Sequence, residues 1–95
     1  MKIKFSYDKN YNKQHHQVSH SDITENEILE VFSNTYIKFL DKGRVYRVIG
    51  HTNLNRFLII VAVFPKNPET INVITAYPAK KIHIIKYHQE VNKND

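Results

Sequence analysis

The sequence predicts an α+β fold: a short N-terminal strand, one or two helices, then an antiparallel meander sheet of about four strands. Three observations lead there. A helix-start signature at Thr24 is followed by one apolar face. The run Phe57 to Phe64 is apolar at every position, as in a strand covered on both sides. Polar turns carrying Gly, Asn or Pro divide the chain after residue 40.

Taken in order, Lys2-Ile3-Lys4-Phe5-Ser6-Tyr7 alternates polar and apolar side chains, as a half-buried strand does. Asp8 to Gln17 is a polar stretch that fits a solvated helix or a loop equally well. Thr24-Glu25-Asn26-Glu27 is a capping box, and Ile23 with Ile28 forms the matching hydrophobic staple. Ile28, Leu29, Val31 and Phe32 continue the helix to about residue 34. Tyr36 to Leu40 then reads as a strand, Asp41-Lys42-Gly43 as a turn, and Arg44 to His51 as the return strand. On that strand Arg47 shares a face with Val45 and Ile49. His51 to Asn55 is a second turn, Arg56 to Phe64 the central strand, and Pro65 to Glu69 a third turn. Thr70 to Tyr77 is a further strand, with Ile71 and Val73 expected opposite Ile74 and Ala76, and Pro78 ends it. Lys80 to Tyr87 fits a strand or a short helix, so the C-terminal element is undecided.

A chain of 95 residues forms one domain, expected over residues 1–90, with residues 91–95 as a frayed tail. Cysteine is absent, which removes disulfides, thiolate metal sites and a cysteine nucleophile. Two glycines cannot build a phosphate-binding loop, and no G-x-S-x-G elbow exists. Dehydrogenase, NTPase and serine-hydrolase chemistry therefore drop out. The longest apolar run falls far short of the ~20 residues that cross a bilayer. No apolar segment follows Met1-Lys2-Ile3-Lys4, so a cytoplasmic protein with no membrane partner is expected.

The net charge of +5 is unevenly placed. It arises entirely after Gly43, and no carboxylate falls between Asp41 and Glu69 or between Glu69 and Glu90. Half of the fold is thus suited to a polyanion or an acidic protein, although a modest positive charge also serves plain solubility. His15, His16 and His20 invite a metal reading. Zinc sites want three or four ligands at defined spacing, so no metal and no cofactor are expected.

What remains is Arg, Lys, His and Tyr on a small antiparallel sheet. RNA can be cut without a metal when its 2′-hydroxyl attacks the adjacent phosphate. A protein then positions the backbone, stabilises the phosphorane with cations and shuttles protons through His, Tyr or Lys. The competing reading of Arg44, Arg47 and Arg56 is as solvent-facing strand residues.

The order of landmarks narrows the choice. Phe5-Ser6-Tyr7-Asp8, then Ile23-Thr24 and Glu30-Val31-Phe32, then Gly43 to Gly50, Arg56 to Val61 and Val73 to Ala79, closing at Tyr87, resembles the BrnT-type toxins of bacterial type II toxin–antitoxin systems. The resemblance covers residues 5 to 87 and implies a RelE-like fold. It also implies mRNA cleavage that inhibits translation, and neutralisation by a cognate antitoxin. Two departures stand out: Tyr77 occupies a position that is usually Arg, and Lys80 to Lys86 is more apolar than the family's C-terminal helix.

Position and chemistry then assign candidate roles. His51, Tyr77, Arg56 and Lys80 are the candidate catalytic residues, His51 and Tyr77 for proton transfer and Lys80 for cationic stabilisation. Arg44, Arg47, Lys42 and Lys81 are the candidates for binding RNA phosphates. Expected partners are RNA and an antitoxin protein, with a homodimer left open because the apolar strand and the Ile84-Ile85 pair have surface to bury. The alternative is a non-catalytic, toxin-like binding module whose basic face contacts protein or nucleic acid. Tyr77 in place of Arg favours it, since only a guanidinium grips a phosphate bidentately.

Overall fold

The computed structural model describes residues 2–5, 23–65 and 70–93. Its elements are β1 (Lys2–Phe5), α1 (Glu25–Ser33), β2 (Ile37–Lys42), β3 (Val45–His51), β4 (Phe57–Val63), β5 (Thr70–Pro78) and α2 (Lys81–Asn92). Ser6, Tyr7, the polar stretch through Gln17, the histidines His15, His16 and His20, and residues 66–69 of the third turn lie outside the described residues.

The expected meander is present: β2, β3, β4 and β5 pair antiparallel in sequence order. β1 joins beside β5 in parallel, giving a five-stranded sheet in the order β1-β5-β4-β3-β2. The all-apolar strand β4 lies in its middle. Alternation along β4 sends Leu58, Ile60 and Ala62 to one face and Ile59 to the other. Each face therefore needs a cover, and each has a helix.

α1 covers the first face. Ile28, Val31 and Phe32 pack with Val48, Leu58, Ile60, Ile71, Val73 and Ala76 in the larger core cluster. Its start is built as the sequence predicts. Thr24 Oγ1 accepts the Glu27 amide at 3.1 Å, and Glu27 Oε1 accepts the Thr24 amide at 3.0 Å. Ile23 and Ile28 are both buried beside it. Gly50 lets the helix come this close to β3. A Cβ there would lie 2.7 Å from Val31 Cγ1 and 3.1 Å from Tyr36 Cβ.

Two turns carry the positive φ that their residues tolerate. Gly43 has φ +58 in the β2–β3 turn, and Asn55 has φ +63 in the β3–β4 turn. The second turn is closed by buried Thr52, whose hydroxyl accepts the Arg56 amide at 3.1 Å. Asn34, capping the C-terminal end of α1, donates to the His51 carbonyl at 3.2 Å and to Asn53 Oδ1 at 3.0 Å. The Asn53 amide in turn donates to Glu30 at 2.9 Å. The turn is thereby tied to the helix.

Three sequence expectations change. The C-terminal element is a helix, with Tyr87 buried and Val91 against the second core cluster. It runs to Asn92, into the stretch expected to be a tail, because Val91 has apolar surface to bury. In β5, Ala76 does not oppose Val73. Val61 pairs with Thr75 and Ala62 with Val73, which leaves Ile74 as a bulge and returns Ala76 to the face of Ile71 and Val73.

Glu27 also receives Arg56 Nη1 at 3.1 Å, fixing the start of α1 to the start of β4. Its carboxyl is held below the ordinary value of 4.5 by the Thr24 amide first, against partial burial, and then by Arg56. A depressed carboxylate stabilises the fold above its unfolded-state value, and that contribution is lost as pH falls through the folded value. Urea denaturation should show the unfolding free energy of Glu27→Gln furthest below wild type at neutral pH, with the gap closing as pH falls through the lowered carboxyl value. Gly50→Ala should cost about 1–3 kcal/mol in the same assay, because Val31 and Tyr36 must both yield. A Gly50→Ala protein as stable as wild type would mean that the helix is free to shift.

Candidate functional site

Helix α2 lies on the second face of the sheet, and strand register sets what lies beneath it. Directly paired residues form rows across the sheet. One row runs Phe39–Arg47–Val61–Thr75, and the next Ile37–Ile49–Ile59–Tyr77. Within the second row Ile49 and Ile59 are buried with Tyr87 of α2, and Ile37 and Tyr77 pack at their sides. The row of Phe39 and Arg47 is less fully covered. A cleft of about 210 Å³ opens there, lined by Phe39, Arg47, Ile49, Ile59, His83 and Lys86. Its floor is apolar and its rim carries two fixed cations and an imidazole.

Each rim group is loosely held. Arg47 Nε is 3.6 Å from Asp41, with both side chains about half exposed, a pair worth ~0–1 kcal/mol. Lys86 Nζ is 4.6 Å from the centre of the Phe39 ring, a cation–π contact worth ~0.5–1 kcal/mol at an exposed position. His83 Nδ1 accepts the Lys80 amide at 3.1 Å, so the neutral ring carries its proton on Nε2. The Lys80 side chain has no acceptor to offer in return, so this bond is the side-chain cap of α2. In the row of Arg47, the Thr75 hydroxyl is buried without a hydrogen-bond partner.

The structure divides the residues singled out from the sequence. Arg47 lines the cleft, and Tyr77 sits on the same face, paired across from Ile59. Lys80 and Lys81 stand at the start of α2, one turn before His83, and both are exposed. Lys42 and Arg44 are exposed at the β2–β3 turn. Among the described residues no ion pair engages Lys42, Arg44, Lys80 or Lys81.

His51 is on the cleft face but four residues along β3 from Arg47, about 13 Å in an extended strand. Its ring lies against Phe57 and Tyr87, and Nδ1 donates to the Thr52 carbonyl at 2.9 Å, which leaves Nε2 as the acceptor of the neutral ring. Tyr87 donates to the Thr35 carbonyl at 2.9 Å, and burial pushes its phenol pKa up. Arg56 belongs to the other side of the sheet, in its pair with Glu27 of α1.

Sequence reasoning missed Phe39, His83 and Lys86. The signal for the last two was helical spacing: His83, Lys86 and Tyr87 stand at i, i+3 and i+4 and so share one flank of α2. It goes unread while residues 80–87 are left between strand and helix. Among the described residues no cluster of His, Asp or Glu is arranged to hold a metal, and no helix is long and apolar enough to cross a membrane.

No family model matches the chain, and no curated protein matches it in sequence. A solved structure does. The Brucella abortus ribonuclease toxin BrnT matches over 85% of this chain and 100% of its own, with a TM-score of 0.54 and 18% sequence identity. The α+β arrangement expected from the resemblance is the one observed, and this chain has the fold of that ribonuclease toxin.

Proposed function

We propose that this protein is the toxin of a type II toxin–antitoxin system, a cytoplasmic endoribonuclease that cleaves mRNA by transesterification. The observation that carries the reading is the cleft of Arg47, His83 and Lys86, set over Phe39, Ile49 and Ile59 on a fold shared with a ribonuclease toxin. In this reaction the 2′-oxygen bonds to the adjacent phosphorus and the bond to the 5′-oxygen breaks. One proton leaves the 2′-hydroxyl and another reaches the departing oxygen. Arg47 and Lys86 stabilise the charge that builds on the phosphorane.

His83, with Nδ1 held by the Lys80 amide, presents the Nε2–H of its neutral ring as a hydrogen-bond donor to a phosphate oxygen. Tyr77 supports the same site from the neighbouring row, and Lys80, Lys81, Arg44 and Lys42 supply cations along the path of the flanking backbone. We assign His51 and Arg56 positioning roles, the first packing against Tyr87 and the second fixing α1. The antitoxin is an acidic or groove-filling protein that occupies the same basic face. The binding-module reading keeps this face and omits the cut, and Tyr77 is the residue that favours it.

Expression of the chain should arrest growth, and co-expression of a neighbouring antitoxin gene should restore it. Arg47→Ala and Lys86→Ala should each lower the cleavage rate by about 10²-fold or more with the thermal melt unchanged. His83→Ala should lower it by a similar factor. Intact mRNA after incubation with purified protein, both with and without ribosomes, would leave the binding module as the surviving reading.

A further inference from the structure

We propose that the cleft between α2 and the sheet takes up one unpaired base of single-stranded RNA, while its rim holds the phosphates beside that base. The proposal rests on the nuclease reading and deepens it, yet it concerns binding and not cutting. Three properties of the cleft carry it.

The first is size. At about 210 Å³ the cleft is smaller than the ~300–1,000 Å³ of pockets for drug-sized ligands, which suits one heterocycle and excludes a folded segment of another protein. The second is the contrast between floor and rim. Phe39, Ile49 and Ile59 offer an apolar surface to a flat ring, while Arg47 and Lys86 stand where the anions flanking that ring would lie. An acidic peptide would satisfy the rim and gain nothing from the floor. The floor is thus the feature that separates a nucleotide from a string of carboxylates.

The third is that a replaceable neighbour rests on the ring face of Phe39. Lys86 Nζ rests 4.6 Å from its centre, and the Lys86 side chain is exposed. A base stack is the stronger contact, so a base displaces the ammonium from the ring and frees it for phosphate. The Arg47–Asp41 pair is weak enough to open in the same way. Both cations are therefore parked on partners that an RNA strand outcompetes.

The test uses the full chain and a 2′-O-methyl trinucleotide, which cannot be cut, so its outcome is independent of nuclease activity. Calorimetry or chemical-shift titration compares this probe with the same trinucleotide lacking its central base, and with inorganic phosphate. The base-bearing probe should bind about ten-fold or more tighter than the abasic one. Phe39→Leu, which keeps an apolar side chain on β2, should bring the two probes together. Arg47→Gln should weaken all three. Equal affinity of wild type for the base-bearing and abasic probes would overturn the proposal, leaving a site for backbone charge alone. So would an unchanged preference in a folded Phe39→Leu protein. Arrested growth or cut mRNA reports on the nuclease reading separately.

Discussion

A strand with apolar side chains on both faces cannot lie at a surface, and this constraint organises the molecule. Each buried Leu or Ile of β4 contributes ~1.5–3 kcal/mol relative to exposure, provided both sides are covered. One helix settles deep onto the first face, where Gly50 permits backbone contact with Val31. The other sits over the row of Ile49 and Ile59 and leaves the Phe39–Arg47 row partly bare. The candidate site is the place where cover runs short.

The same alternation assigns the arginines their separate work. Arg47 and Arg56 have one chemistry, but they fall on opposite sides of the sheet. Arg56 meets Glu27, itself fixed by the Thr24 amide, and becomes part of a helix start. Among the described residues Arg47 meets the exposed carboxylate of Asp41 and keeps its guanidinium at the edge of a cleft. Charge counting along the chain cannot make this distinction. The partner across the fold does.

Much of this was legible in the residues. The capping box and staple around Thr24, the turns at Gly43 and Thr52 to Asn55, and the doubly covered β4 all follow from local chemistry, and all are present. Failures arose where apolar residues do not report a single period. In α2, Ile82 and Ile85 are exposed while Tyr87 is buried, so the isoleucines obscure the helical stripe. In β5 the bulge at Ile74 breaks the alternation, and nothing in Val73-Ile74-Thr75-Ala76 announces it. With α2 unread, His83 and Lys86 could not be placed beside Arg47. The neighbours of β1 were equally hidden, since a parallel pairing leaves no mark in a four-residue strand.

That pairing has a temporal side. Lys2 aligns with Thr70 and Phe5 with Val73, so β1 waits for a strand made much later. At ~5–20 residues per second, the interval is on the order of several seconds. Over that time β1 has no place to dock, and the outer edge of the sheet is missing. Tyr77, which completes the row of Ile59, and α2, which roofs the cleft, emerge later still. The order of translation therefore acts as a timer: the basic cleft comes into being only once α2, made after every strand of the sheet, has emerged.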